Sequence, residues 1–466
     1  MAKKHFLIIV LLTNFIFANT IRLPENFTVK KTLSGKLSED LSLHLIFSLN
    51  TSNKQYTLHP YLFDGEKVEK LPLIENKKQI EIVSFHKKGE IVSVFYRPKA
   101  SEKELIEVNI NTKTNSVLKK EPQSHNNFLG SFEVEGSSTL LYKNKNNFTI
   151  KQFSGLNNKS YKYSFKGKED EIYRFLNHKT LTAVRTDEFV FNGSNKKNKI
   201  YLSNKGLVFT KDSPKTLTTN IYELNYEGNS IVVNKRMITV KKADTISFKK
   251  MASYFTDKKV YQLSLNKDFA SLQINDIAQN KLVNSIKIDS SFTTSDLDYN
   301  KNFLGIPKFL TEMYLQRTSP TITVNKTIDD NYRVRFSYLN YYFNDVNRHW
   351  WFFQQQEKLW RLNQKDFMIN SSSFHGPNPT NDFTFDLVKT STNNYSFEIL
   401  VSENGTILNK KLPETIYKKI NKDKYAKKFR NNNNYYLKSY CFTNNGFRYM
   451  AYSKKNKTIE LFNDTF

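Results

Sequence analysis

The chain has 466 residues, a formal net charge of +27, 38% hydrophobic and 14% aromatic residues, and one cysteine. The apolar content supports a real core, and a single cysteine excludes a small disulfide-stapled module. The charge is mostly lysine, scattered through turns such as Lys196-Lys197-Asn198-Lys199 and Lys454-Lys455-Asn456-Lys457, where base readers favour arginine; nucleic acid is therefore not the expected partner, and the charge reads as a solubility feature.

Residues 1–18 have the layout of an export signal. Lys3 and Lys4 form a basic start, Phe6 to Phe17 is almost uninterruptedly apolar, and Ala18 offers a small residue for cleavage. The run is too short to span a bilayer comfortably, no lipid-attachment cysteine follows it, and no later segment is long and apolar enough to cross. The expected mature chain, residues 19–466, is exported to the periplasm or the extracellular space.

From about residue 20 onward, short apolar alternations are separated by Asn, Lys, Gly and Ser turns. Leu43 to Phe47, Ile91 to Tyr96, Ser138 to Tyr142, Ser230 to Val233 and Tyr449 to Tyr452 have strand length and strand periodicity. Three of these strands share a frame: Phe85 with Gly89, Phe132 with Gly136 and Phe442 with Gly446 each place an aromatic four residues before a glycine and a second strand. Phe175 with Lys179 and Tyr254 with Lys258 keep the spacing without the glycine. A recurrence of roughly 40 to 50 residues with several strands per unit is the pattern of propeller blades. The logic is physical: one small twisted sheet cannot bury both faces alone, whereas a ring of them can. The glycines are expected to adopt positive φ in turns, and the aromatics to fill the space between blades.

The expected fold is therefore all-β, a β-propeller of about six to eight blades with one or two short helical insertions, the alternative being another multi-sheet β architecture. Residues 19–466 would form a single domain, with insertions around 307–380 and 413–434. The units around Phe85, Phe132 and Phe442 resemble those of divergent exported β-propeller repeat proteins of the bacterial envelope. The resemblance covers about half the chain, lacks the Trp-Asp dipeptide of the best-known eukaryotic repeat, and brings no functional residue with it. It implies a platform that binds through one mouth of a ring.

Two segments interrupt the strands. The first is preceded by a short predicted helix, Pro307 to Leu315, with proline near its start. It then concentrates all three tryptophans, Trp350, Trp351 and Trp360, with His349 and the arginines Arg333, Arg335, Arg348 and Arg361. Tyr332, Val334, Phe336 and Tyr338 alternate with Arg333, Arg335 and Ser337, which predicts a strand. Val346 to Leu362 lacks Gly and Pro and predicts a helix capped by Asn344 or Asp345. Either the rings wedge this segment onto the body, or some of them stay exposed with the arginines as a contact surface for a partner. The second segment, Pro413 to Arg430, predicts a basic amphipathic helix with Ile416, Tyr417, Ile420, Tyr425 and Phe429 on one face, either packed on its own domain or lying on an anionic surface.

Signatures of chemistry are sparse. The histidines are dispersed, and Cys441, within Tyr440-Cys441-Phe442, is expected to be a buried thiol. Ser373 with His375, and the carboxylate pairs Asp296 with Asp298, Asp329 with Asp330 and Asp382 with Asp386, are the nearest approaches to catalytic constellations. Eleven Asn-X-Ser/Thr sequons, from Asn26 to Asn463, would carry glycans only in a glycosylating host. No cofactor or metal is expected. The functional expectation is an exported, non-enzymatic binding or scaffold protein whose aromatic and arginine segment contacts a protein or polysaccharide. The alternatives are an exported polysaccharide hydrolase or lyase with carboxylates at the propeller mouth, and a structural envelope component.

Overall fold

The computed structural model describes residues 19–99, 103–134, 136–177, 181–185, 189–190, 196–203, 206–241, 247–292, 298–299, 303, 305–316, 319–339, 384–385, 394–420, 425, 429, 435–453 and 455–466. The expected export signal and the expected helix over 346–362 lie outside these residues.

The chain starts with β1 (Asn19–Arg22) and then builds one antiparallel meander after another. Unit 1 is β2 (Phe27–Lys36), β3 (Ser42–Asn50) and β4 (Tyr56–Phe63), with an outer strand split into β5 (Val68–Lys70) and β6 (Ile74–Asn76). Unit 2 repeats that plan with β7 (Ile80–Lys88), β8 (Ile91–Pro98), β9 (Glu104–Asn111) and the split pair β10 (Ser116–Lys119) and β11 (Gln123–Ser124). Unit 3 is β12 (Phe128–Val134), β13 (Ser137–Lys143), β14 (Asn147–Ser154) and β15 (Asn157–Ser164), followed by helix α1 (Glu171–Leu176). Unit 4 comprises β16 (Leu181–Arg185), β17 (Asn198–Ser203), β18 (Gly206–Ser213), β19 (Thr218–Glu227) and β20 (Ser230–Thr239). Unit 5 is β21 (Lys250–Thr256), β22 (Lys259–Leu265), β23 (Ala270–Asp276) and β24 (Lys281–Ile288). Unit 6 takes its outer strand, β25 (Asp298–Tyr299), from before helix α2 (Ile306–Leu315), and continues with β26 (Thr321–Lys326) and β27 (Tyr332–Leu339). The two-residue β28 (Thr384–Phe385) pairs instead with β16, and β29 (Asn394–Val401) completes unit 6. Unit 7 is β30 (Leu437–Phe442), β31 (Gly446–Ser453) and β32 (Thr458–Thr465), and its outermost strand is β1, paired antiparallel to β32 from Asn19↔Leu461 to Arg22↔Thr458.

Burial falls from the inner strands outward, as it must when each sheet is covered on both faces by its neighbours. In unit 5, β22 is buried along its whole length while most of β24 is half-buried or exposed; in unit 2, β8 and β9 are mostly buried and every residue of β10 is exposed. Apolar clusters then join the units in sequence. Ile46 and Phe63 of unit 1 meet Met450 and Leu461 of unit 7, while Leu33 and Leu45 meet Phe85 and Val94 of unit 2. Phe95 packs on Phe153 of unit 3 at 4.6 Å, and Phe148 on Phe209 of unit 4 at 6.2 Å. Tyr201 meets Tyr254 of unit 5, and Tyr261 meets Tyr332 of unit 6. Between units 6 and 7 runs the segment 402–420, tied to unit 6 by the Thr327↔Thr415 bridge and to the C-terminus by Lys418 Nζ donating to Phe466 O at 3.2 Å. The fold is all-β, a β-propeller of seven such units among the described residues.

Several sequence expectations hold in detail. Gly89 and Gly136 adopt φ of 58° and 71° in hairpin turns, and where the Tyr254 copy lacks glycine Lys258 takes the same left-handed conformation at 62°. Helix α2 has its proline in the first turn and buries Ile306, Phe309, Leu310 and Met313. Others are corrected. Phe175 is in α1, stacked on Phe209 at 4.7 Å, so it does not begin a blade; Asp170 caps that helix by accepting from the Ile172 and Tyr173 amides. Gly446 does not adopt positive φ and is needed for close approach, since a Cβ there would lie 2.3 Å from the Asn463 side chain. The amphipathic helix expected from Pro413 is not formed over 413–420. The Ile416 amide donates to Lys326 O and the Ile328 amide to Glu414 O, which draws this stretch against unit 6 in extended form. Ile416 and Tyr417 are consequently exposed, while Tyr425 and Phe429, both helical, pack on Phe447 of unit 7.

Candidate functional site

Strand β27 shows the predicted alternation. Tyr332, Val334, Phe336 and Tyr338 are buried in the core shared by units 4, 5 and 6, which turns Arg333, Arg335 and Ser337 to the opposite face. Directly across from Arg335 on β29 is Glu398, a carboxylate 2% exposed. Its Oε1 accepts from Arg335 Nε at 2.6 Å, and its Oε2 from Arg333 Nε at 2.8 Å. Arg333 Nη1 also donates to Pro413 O at 3.4 Å, and Lys419 Nζ stands 4.0 Å from Oε1. The two guanidiniums are themselves only 12% exposed, so their charges depend on this acid.

This cluster lies on the strand pair from which a long excursion leaves, four and six residues before its start at Leu339. Leu339 and Asn394 are register partners at the ends of β27 and β29, yet residues 340–393 intervene between them. Most of the other strand pairs that follow directly in the chain are joined by short turns. The excursion touches the body at β28, whose Thr384 and Phe385 pair in parallel with Thr182 and Ala183 of β16. Of the eight residues singled out as a contact surface, Arg333 and Arg335 are brought together on Glu398; Arg348, His349, Trp350, Trp351, Trp360 and Arg361 lie outside the described residues. Glu398 was missed by the sequence reasoning. Its signal was the acid in Asn394-Tyr395-Ser396-Phe397-Glu398-Ile399-Leu400, an alternating run whose polar phase complements Arg-Val-Arg.

Several other polar side chains in the interior act between blades. Lys199 Nζ donates to Asp212 Oδ2 at 2.6 Å and to Ser253 O at 2.8 Å. Asp212 also accepts from the hydroxyls of Thr219 and Ser253 and from the Ser253 amide, so units 4 and 5 share one saturated network. Arg448 of unit 7, 2% exposed, donates to Asp40 O at 2.7 Å and Phe63 O at 2.8 Å of unit 1.

The four described histidines are all buried. His44 lies between Ser34 and Ser42, and Ser34 reaches Ser439 of unit 7 at 2.7 Å; His59 bonds Ser48. His86 bonds Ser138 and accepts from the Gly155 amide across the seam between units 2 and 3, and His125 faces Tyr142 at the same seam. Desolvation lowers their pKa values to about 3 for His44 and His125 and about 4 for His59 and His86, helped by Arg448, Arg97 and Lys151, Lys70, and Lys88 respectively. Burial likewise pushes the Cys441 thiol up to about 12. Among the described residues no group of three or more His, Cys, Asp or Glu could hold a metal. Asp329 and Asp330 are in ion pairs with Lys410 and Lys326 on the surface. Ser373 and His375, together with Asp382 and Asp386, lie outside the described residues.

No family model matches the chain, and no curated protein matches it. Among solved structures it is similar to a chain of the mitotic checkpoint complex (8% identity, 97% of this chain and 100% of that one, TM-score 0.26). It is also similar to TolB from Acinetobacter baumannii (10%, 66% and 75%, TM-score 0.20) and to an N10 neuraminidase-like protein of a bat influenza virus (8%, 68% and 93%, TM-score 0.23). Similarity this low says nothing of function, and the architecture stands on the strand pairing and burial of the chain itself.

Proposed function

We propose that the protein is an exported, non-enzymatic binding scaffold, a single propeller domain over residues 19–466 that engages a protein or polysaccharide through the segment between β27 and β29. One observation carries this reading. A regular meander is interrupted between two directly paired strands by an excursion that contains every tryptophan of the chain, and the strands at its base are braced by Glu398 with Arg333 and Arg335. A braced pair of strands holds an inserted contact surface at a fixed place on the ring, which lowers the entropy lost on binding. Aromatic rings beside arginines are the residue types that dominate binding energy at such surfaces.

The test compares wild type with the Trp350→Ala/Trp351→Ala double variant on a glycan array and in affinity capture with identification of retained proteins. A partner held by the wild type and lost by the variant, with unchanged thermal unfolding, supports the proposal. Equal retention by both proteins removes Trp350 and Trp351 from the site. Acrylamide quenching of tryptophan fluorescence adds an independent readout: strong quenching is expected if the rings face solvent.

A further inference from the structure

The rims of neighbouring units are finished in two ways. Between units 3 and 4 the outer strands β15 and β20 meet in parallel, Lys162 opposite Ser230, with the Lys162 amide donating to Asn229 O at 2.9 Å. Between units 1 and 2 the outer strands stay apart. There a groove of about 640 Å³ opens between the end of β6 and β10, with Lys77, Lys78 and Lys119 against Glu75 and Glu104. None of these three lysines has an ion-pair partner among the described residues, and Lys119 Nζ sits 6.0 Å over the Tyr96 ring.

Beside the groove, β10 presents an open edge. It pairs with β9 alone, and Val117 and Leu118 are exposed. The Lys120 amide donates to Glu107 O, which fixes the antiparallel alternation. Ser116 and Leu118 therefore bond β9, and Val117 and Lys119 turn their N–H and C=O groups outward. Natural proteins cover or blunt such edges, and an extended segment is the ligand that satisfies them.

We propose that the rim between units 1 and 2 is a second binding site, independent of the segment between β27 and β29, that takes an extended acidic peptide by strand addition to β10. The peptide occupies the place that β20 takes beside β15. Its backbone satisfies Val117 and Lys119, its apolar side chains cover Leu118 on one face, and its carboxylates meet Lys119, Lys77 and Lys78 on the other.

The probe is a fluorescein-labelled octapeptide alternating Val and Glu, read by fluorescence anisotropy on the full chain at moderate salt, with a Val/Lys peptide as control. Saturable binding of the acidic peptide alone is expected. Val117→Pro deletes one outward N–H and keeps the bonds to β9, a change tolerated on an edge strand, and should weaken binding by about tenfold or more. The triple variant Lys77→Glu/Lys78→Glu/Lys119→Glu should abolish it, both with unchanged thermal midpoints. Trp350→Ala should leave it intact. Absence of saturable binding, or Val117→Pro binding like wild type, overturns strand addition. A heparin octasaccharide bound equally by wild type and Val117→Pro and lost only in the triple variant, with no peptide binding, assigns the groove to an anionic sugar instead and likewise overturns the proposal.

Discussion

The two halves of the ring are held together by different chemistry. The seams between units 7 and 1 and between units 2 and 3 carry buried histidines with hydroxyl partners, His44 with Ser34, Ser42 and Ser439, and His86 with Ser138, beside the buried Arg448 and Glu133. Units 4 and 5 are joined by a buried ion pair, Lys199 with Asp212, and unit 6 is braced internally by Arg333 and Arg335 with Glu398. A neutral imidazole needs only one donor and one acceptor and is undisturbed while it stays neutral; a buried ion is secure only while its partner is present and charged. The halves should therefore fail under different conditions, acid for the first and loss of a single partner for the second.

Acid gives the largest expected effect. In the folded chain the four imidazoles have pKa values of about 3 to 4, against 6.5 when unfolded, so the unfolded chain takes up protons that the folded one refuses. Stability is fully present above pH 6.5 and falls as the pH drops toward 4, each histidine contributing on the order of 3 kcal/mol over the whole window. Hydrogen exchange at pH 7 and pH 5 should show amides of β3, β7, β8 and β13 losing protection first, with β17, β18, β21 and β22 lagging. Uniform loss across both halves would erase the distinction. His86→Gln should reduce the pH slope of stability by close to one proton.

The ionic half is probed by substitution. Asp212→Ala leaves Lys199, 1% exposed, without its counter-ion, and should lower stability by about 3 to 5 kcal/mol. The loss should be nearly constant between pH 6.5 and 5, which distinguishes it from the histidine half. Glu398→Gln should lose less, about 2 to 3 kcal/mol, because its arginines are partly solvated and an amide keeps one acceptor. Its local signature is increased exchange in β27 and β29 around Arg335 and Glu398. Urea unfolding and exchange mass spectrometry measure both.

What was legible in the sequence was local. Alternation in Ile91 to Tyr96 or in Tyr332 to Tyr338 states which face is buried, and the turn residues at Gly89 and Gly136 follow from backbone sterics. What was hidden depended on partners distant in the chain. Nothing around Asn19 says that it will pair with Leu461, and Glu398 acquires its role only once β29 lies beside β27. The segment after Pro413 has a convincing helical stripe, yet backbone bonds to Lys326 and Ile328 hold Glu414 to Ile416 extended, an instance of tertiary context overriding periodicity. The same limit applies to the candidate surface: the strand that carries Arg333 and Arg335 was readable, the acid that fixes them was not.

One contact involves neither a histidine nor an ion, and it supplies the smallest expected effect and the sharpest control. Units 1 and 2 meet through apolar packing, and Gly35 of β2 is where the Phe85 ring of β7 comes closest. A Cβ on Gly35 would lie 2.0 Å from Phe85 Cζ. A contact that short forces the ring or the strand to move, so Gly35→Ala should destabilise by about 1 to 3 kcal/mol, as overpacking generally does. Because neither Gly35 nor Phe85 titrates, the loss should be the same at pH 7 and pH 5. Phe85→Leu in the same chain should recover part of it by shortening the intruding side chain. Additive losses in that double variant would mean that the two residues do not share the contact, and a pH-dependent Gly35→Ala loss would mean that this seam is coupled to the histidines on either side of it.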